Sequence, residues 1–241
     1  MMRASPDTPR SDSAPSRRYW SRRLIRHVIL GAAGLLASAL VATVARDKPS
    51  FAFRWSMGTG YVGLAFLLST LALGPIRLAM GRRSPPSTDL RRDVGIWSAV
   101  FAIAHAIIGL GVHMGGAFWK YFVDPARAPG TIVPRLDGFG IANWAGLVAV
   151  VVYLVLVLVS NDIAVRRLGL ARWKSIQRWS YVAAFLVALH GAAYVKMDHR
   201  SAVFAVVFVF LTLLMGGVQL FGVREFRRVR RSAGTGSRSA G

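Results

Sequence analysis

Long apolar runs alternate with short, polar, mostly basic segments between residues 28 and 223. Six runs approach the roughly 20 residues that a helix needs to cross a bilayer at 1.5 Å per residue. They are Val28–Ala45, Thr59–Met80, Val94–Gly116, Ile141–Ser160, Trp179–Val195 and Ala202–Val223. In lipid, backbone amides must be satisfied within their own segment, so each run is expected to be a helix. The pattern predicts an all-α integral membrane protein built as a six-helix transmembrane bundle. Residues 1–27, rich in Ser, Pro and Arg, are expected to be a disordered basic cytoplasmic tail. Residues 28–223 would form the membrane domain, and residues 224–241 a second basic cytoplasmic tail. The first run ends in VATVA, which resembles a signal-peptide cleavage site. The run is long for a signal peptide, and the expectation is a retained first helix.

The net charge of +21 invites a nucleic-acid reading, but the placement of the charge argues against it. Of the 31 Lys and Arg residues, 23 fall in four segments, 1–27, 77–92, 166–178 and 224–241. The other eight are shared by the three intervening loops. A nucleic-acid binder gathers its charge on one folded surface, whereas here it marks every second membrane boundary. That is the positive-inside pattern of a six-span protein with both termini in the cytoplasm. The chain has no cysteine, which excludes disulfides and thiolate metal sites.

Ionisable groups at membrane depth are costly and are functional candidates. No Asp or Glu falls near the centre of a run, which weighs against proton-pump and ion-coupled transport chemistry. His27 lies at the edge of the first run and reads as an ordinary interfacial histidine. His105 and His190 lie deep in the third and fifth runs, each 11 residues from the run's start, or roughly 16 Å in. Those two runs are parallel, so the imidazoles share one level. A neutral imidazole is a common metal ligand, and two at one depth in a bundle can grip an iron porphyrin from both sides. Small residues nearby would leave room for a flat macrocycle: Ala102, Ala104, Ala106 and Gly109 around one, Ala188, Gly191, Ala192 and Ala193 around the other. Spacing alone equally allows two buried histidines that each hydrogen-bond a neighbouring helix, since small residues also serve plain helix packing. His113 and His199 repeat the depth match near the outer surface and are secondary candidates.

RRDVGIWSAVFAIAHAIIGL (91–110) and RRLGLARWKSIQRWSYVAAFLVALHGAAYVK (166–196) together resemble the ferric reductase-like transmembrane domain family. The likeness covers about residues 55–223. The bacterial branch of that family includes the haem-binding membrane subunit of the periplasmic methionine-sulfoxide reductase system. The resemblance implies transmembrane electron transfer through b-type haem, with His105 and His190 as axial iron ligands. It implies a bacterial inner-membrane, multi-pass electron-transfer subunit of an oxidoreductase. Relatives often carry a further histidine 13 residues before the one matched by His190; here that position is Gln177. One haem is therefore expected. No GxGxxG followed by a βαβ pattern occurs in the 241 residues. The donor is accordingly expected to be a separate cytoplasmic flavoprotein, an FMN or FAD held by the basic loops, or membrane quinol. The acceptor is expected on the outer side, as ferric iron or a periplasmic oxidoreductase. The competing readings are a haem-free transporter or assembly subunit and a quinol-linked cytochrome b. Membrane lipid is the only other partner expected, and nucleic acid is not one.

Overall fold

The computed structural model describes residues 17–81, 88–124, 131–197 and 201–236. Among the described residues seven α-helices follow one another: α1 (Arg17–Val44), α2 (Phe51–Ala79), α3 (Thr88–Gly109), α4 (Gly138–Leu158), α5 (Asp162–Gln177), α6 (Trp179–Met197) and α7 (Ala202–Gly236). Six stretches are long and apolar enough to cross a membrane, α5 and α6 together supplying one of them. Large apolar side chains such as Leu36, Ile107, Phe185 and Leu213 point outward and stay exposed. Alanine and small polar residues fill much of the interior: Ala99, Ala142, Ala149, Ala183, Ser98. This is the distribution expected when lipid, not water, is the solvent and close packing holds the helices together.

α2 sits against α1, α3 and α7; α4 packs chiefly on α6, and α3 with α4 joins the two groups. Pro75 interrupts α2. It lacks the N–H that would bond the Leu71 carbonyl four residues back. Gln219 of α7 donates its side-chain N–H to that carbonyl instead, at 3.0 Å. The orphaned acceptor inside the bilayer is thereby satisfied from a neighbouring helix.

The basic end of the bundle is knotted by Asp93, whose side chain is fully buried. Arg23 and Arg26 of α1 donate to it at 3.1 and 2.8 Å, and His27 Nε2 stands 3.3 Å away. The Trp97 indole N–H donates to His27 Nδ1 at 3.1 Å. These bonds correct two expectations. Helix α1 begins at Arg17, inside the segment read as a tail, because Arg23, Arg26 and His27 have a buried partner on α3. His27 is a link in that knot as well as an interfacial residue. Nearby, Arg92 donates to Asp162 at 2.6 Å. α5 buries none of its residues and bends at Gly169, whose φ of 73° suits glycine. Its polar, basic sequence reads as a loop, and the structure folds it as a separate helix.

The far end is capped by a short 3-10 turn (Phe118–Tyr121) and an antiparallel bridge between Val123 and Pro134. Asp137 caps α4 by accepting from the Gly140 N–H at 2.7 Å. It also accepts from Arg135, whose guanidinium lies 4.5 Å above the Phe139 ring centre.

Candidate functional site

A cavity of 670 Å³ lies in the far half of the bundle, between α2, α3, α4 and α6. That volume is in the range of about 300–1,000 Å³ found for cofactor and ligand sites. Its lining includes both deep histidines. His105 reaches it from α3 and His190 from α6, and their ring centres stand 5.9 Å apart with planes crossed at 80°. The shared depth read from the sequence therefore brings the two rings together.

Each ring is held in the same way. His105 Nδ1 lies 2.7 Å from the carbonyl oxygen of Ser56 on α2. His190 Nδ1 lies 2.8 Å from the carbonyl oxygen of Ala142 on α4. A carbonyl oxygen can only accept, so both rings carry their proton on Nδ1. In a neutral imidazole this leaves the lone pair on Nε2, the tautomer that binds a metal. Such an N–H to carbonyl bond also fixes ring orientation, as it does for metal-bound histidines generally. The Ser56 hydroxyl adds a second contact to His105 Nδ1 at 3.2 Å.

Four residues beyond each carbonyl stands a glycine. A Cβ on Gly60 would lie 2.9 Å from His105 Nδ1, and one on Gly146 would lie 2.8 Å from His190 Nδ1. Any side chain there would push the ring off its carbonyl. One device thus occurs twice, as Ser56 with Gly60 on α2 and Ala142 with Gly146 on α4. Sequence reasoning missed these four residues. Their signal was present as small residues four apart in SMGTG and ANWAG, a spacing that marks close helix approach without saying what approaches.

The cavity wall is graded. Toward the basic end it is apolar, with Leu64, Ala102, Ala149 and Val187, and Tyr153 whose hydroxyl is 3.2 Å from Ser98 Oγ. Toward the far end it carries Asn143, Tyr194 and His113. The Tyr194 hydroxyl donates to Asn143 at 2.8 Å, and its ring centre is 4.8 Å from that of His190. Of the small residues expected to make room, Ala102, Ala106, Gly109 and Gly191 line the cavity, and Ala104, Ala188, Ala192 and Ala193 do not.

His113 also lines this cavity, though helical rotation places it off the face of His105. The physical reason is that α3 ends at Gly109, and the chain then turns inward. The Tyr121 hydroxyl ties that turn, donating to the Gly109 carbonyl at 2.9 Å and accepting from the His113 backbone N–H at 3.0 Å. His199 lies outside the described residues. Gln177 is at the opposite end, with Nε2 3.5 Å from Ser160 Oγ. Between it and the histidine pair the interior is packed with Leu67, Leu71, Val152, Leu156, Ala183 and Met215. Among the described residues no three His, Asp or Glu side chains gather to hold a bare metal ion.

The pair passes a simple test of fit. Two imidazoles that shared one iron, each bonding it at about 2 Å, would hold their ring centres a little over about 6 Å apart. The 5.9 Å spacing is close to that distance.

Comparison with known proteins identifies a family and relatives for the chain. The family described as "Ferric reductase like transmembrane component" matches residues 59–188. The chain is similar to the "Protein-methionine-sulfoxide reductase heme-binding subunit MsrQ" of Deinococcus radiodurans, at 31% identity over 61% of this chain and 66% of that protein. It is similar to the protein of that name from Salmonella arizonae at 30% identity, over 70% of this chain and 77% of the relative. The matched region thus spans about two thirds to three quarters of these relatives.

Proposed function

The chain belongs to the ferric reductase-like transmembrane family and is a multi-pass protein of the bacterial inner membrane that serves electron transfer, and from that premise we propose that it carries electrons through one b-type haem held between His105 and His190. The observation that carries the proposal is the pair of Nδ1 bonds to the Ser56 and Ala142 carbonyls. Hydrogen bonding to a neighbouring helix, the competing role for a buried histidine, is present as well. The Nδ1 bond puts each Nε2 in the metal-binding tautomer, on two rings near the spacing of a shared iron.

Bound there, the haem supplies one-electron chemistry between ferric and ferrous iron. The chain's own residues do the rest. The two histidines coordinate, and the carbonyls of Ser56 and Ala142 hold the rings in plane. Leu64, Ala102, Ala149 and Val187 exclude water and so disfavour the extra charge of the ferric form. The packed core between Gln177 and the histidine pair supports one haem rather than two.

Sidedness follows from the basic segments. The end carrying Asp93, α5 and the start of α1 faces the cytoplasm, and the histidine cavity lies in the outer half of the membrane. The acceptor is on the outer side, a periplasmic oxidoreductase or ferric iron. The donor is a cytoplasmic flavoprotein, with FMN or FAD, or a quinol. One observation favours quinol: Gln177 at the end of α5 and His190 on α6 are 13 residues apart, roughly 20 Å at helical rise, and packed apolar side chains fill the interior between them. A donor that enters the membrane shortens this gap. Pyridine haemochrome assay of the purified chain tests the central claim. One haem per chain is the expected value, and a colourless protein after expression in haem-replete cells would sink it.

A further inference from the structure

Building on the bis-histidine haem proposed above, we propose that the fold holds the two axial imidazoles with crossed planes, and that Gly60 and Gly146 with the carbonyls of Ser56 and Ala142 are the positioning groups that keep them crossed. Three observations carry this. The planes meet at 80° at a spacing of 5.9 Å. Each ring is fixed by a short bond to a different helix, His105 to α2 and His190 to α4. Each is backed by a glycine whose missing Cβ leaves under 3 Å to the ring nitrogen. A ring could turn toward its partner's plane only by giving up its bond to the carbonyl, which costs free energy in a part-buried site.

The consequence follows from ligand-field chemistry. An axial imidazole donates π density into the iron d orbital perpendicular to its own plane. Parallel rings load one orbital of the pair and split the two. Crossed rings load both alike and leave them nearly degenerate. The ferric iron then loses the stabilisation that splitting provides, so crossed rings bias the centre toward the ferrous form. The ring-holding device therefore sets the electron affinity of the site as well as its occupancy.

The experiment is electron paramagnetic resonance of the purified, haem-loaded, oxidised full chain at liquid-helium temperature. Crossed rings give a single low-field line of large anisotropy. A rhombic low-spin spectrum with three resolved features overturns the proposal while leaving bis-histidine ligation intact. Failure of the haem reading looks different: no haem in the wild type, or a low-spin signal that survives both His105→Ala and His190→Ala. Gly146→Ala tests the device itself. It is expected to turn the spectrum rhombic or abolish the low-spin signal, with Gly74→Ala, whose Cβ meets nothing within 4 Å, unchanged. An unaltered crossed-ring line in Gly146→Ala overturns the role given to that glycine and the Ala142 carbonyl.

Discussion

His190 donates from Nδ1 to the carbonyl oxygen of Ala142 at 2.8 Å, and that bond fixes the tautomer of the ring, with the proton on Nδ1. His105 repeats the arrangement on Ser56. Replacing either histidine with Ala is expected to abolish the six-coordinate low-spin spectrum, because such a haem needs both axial nitrogens. Met in either position should keep some haem and raise its reduction potential, since it fills similar space and still ligates. His113→Ala should leave the optical spectrum nearly unchanged. Loss of the low-spin bands in His113→Ala but not in His190→Ala would show that the wrong pair has been chosen.

Haem stoichiometry is expected to stay at one per chain in Gln177→His. Gln177 lies beyond a packed interior of Leu67, Leu71, Val152 and Met215, and side chains would have to clear a macrocycle-sized space before a second site existed. Haemochrome assay against protein concentration measures this. A ratio near two in the wild type would overturn the single-haem reading.

The Asp93 knot makes a prediction about stability. Asp93→Ala removes the buried carboxylate that Arg23, Arg26 and His27 share. Removing one partner of a buried ion pair typically costs about 3–5 kcal/mol. Thermal unfolding in detergent should show a clearly lowered midpoint and early loss of α1 from the bundle. A midpoint equal to wild type would mean that α1 is held by its apolar contacts alone.

Asp137 supplies the pH dependence of the far cap. Its hydrogen bond from Arg135, and next the one from the Gly140 N–H, hold its carboxyl below the usual value of 3.8. The folded value is depressed, so the stabilisation is fully present above 3.8 and is lost as pH falls through the lower, folded value. The start of α4 should therefore loosen only in acid below that window, with no change across neutral pH. Amide exchange at Gly140 reads this out, and Asp137→Asn should remove the dependence. Loosening that begins between pH 5 and 7 would point to another group.

Sidedness can be tested by reporter fusions. Fusions after Arg92, Arg172 and Arg231 should report cytoplasm, and fusions near Arg54 and Pro129 the outside. An external reading at Arg231 would overturn the orientation on which the donor and acceptor sides rest.

What the sequence determined by itself is what depends on one helix at a time. Apolar length makes a span, basic flanks suggest its orientation, and residue count from the start of a run gives depth. Those rules located six spans and placed His105 and His190 at one level. Anything that depends on rotation about a helix axis, or on two chains of packing, was decided only by the tertiary structure. Counting cannot show that Gly60 and Gly146 back the two rings, because a glycine's role is set by what fills the space where its Cβ would be. Nor can it show that Asp93 recruits Arg23, Arg26 and His27 from about 70 residues away, so the first helix begins earlier than its apolar run. His113 is the clearest case. Helical phase turns it away from His105, but α3 stops at Gly109 and a turn pinned by Tyr121 brings it back to the same cavity. A helix end held by a distant hydroxyl leaves little local trace, because the bond that ends it forms only once the bundle has packed.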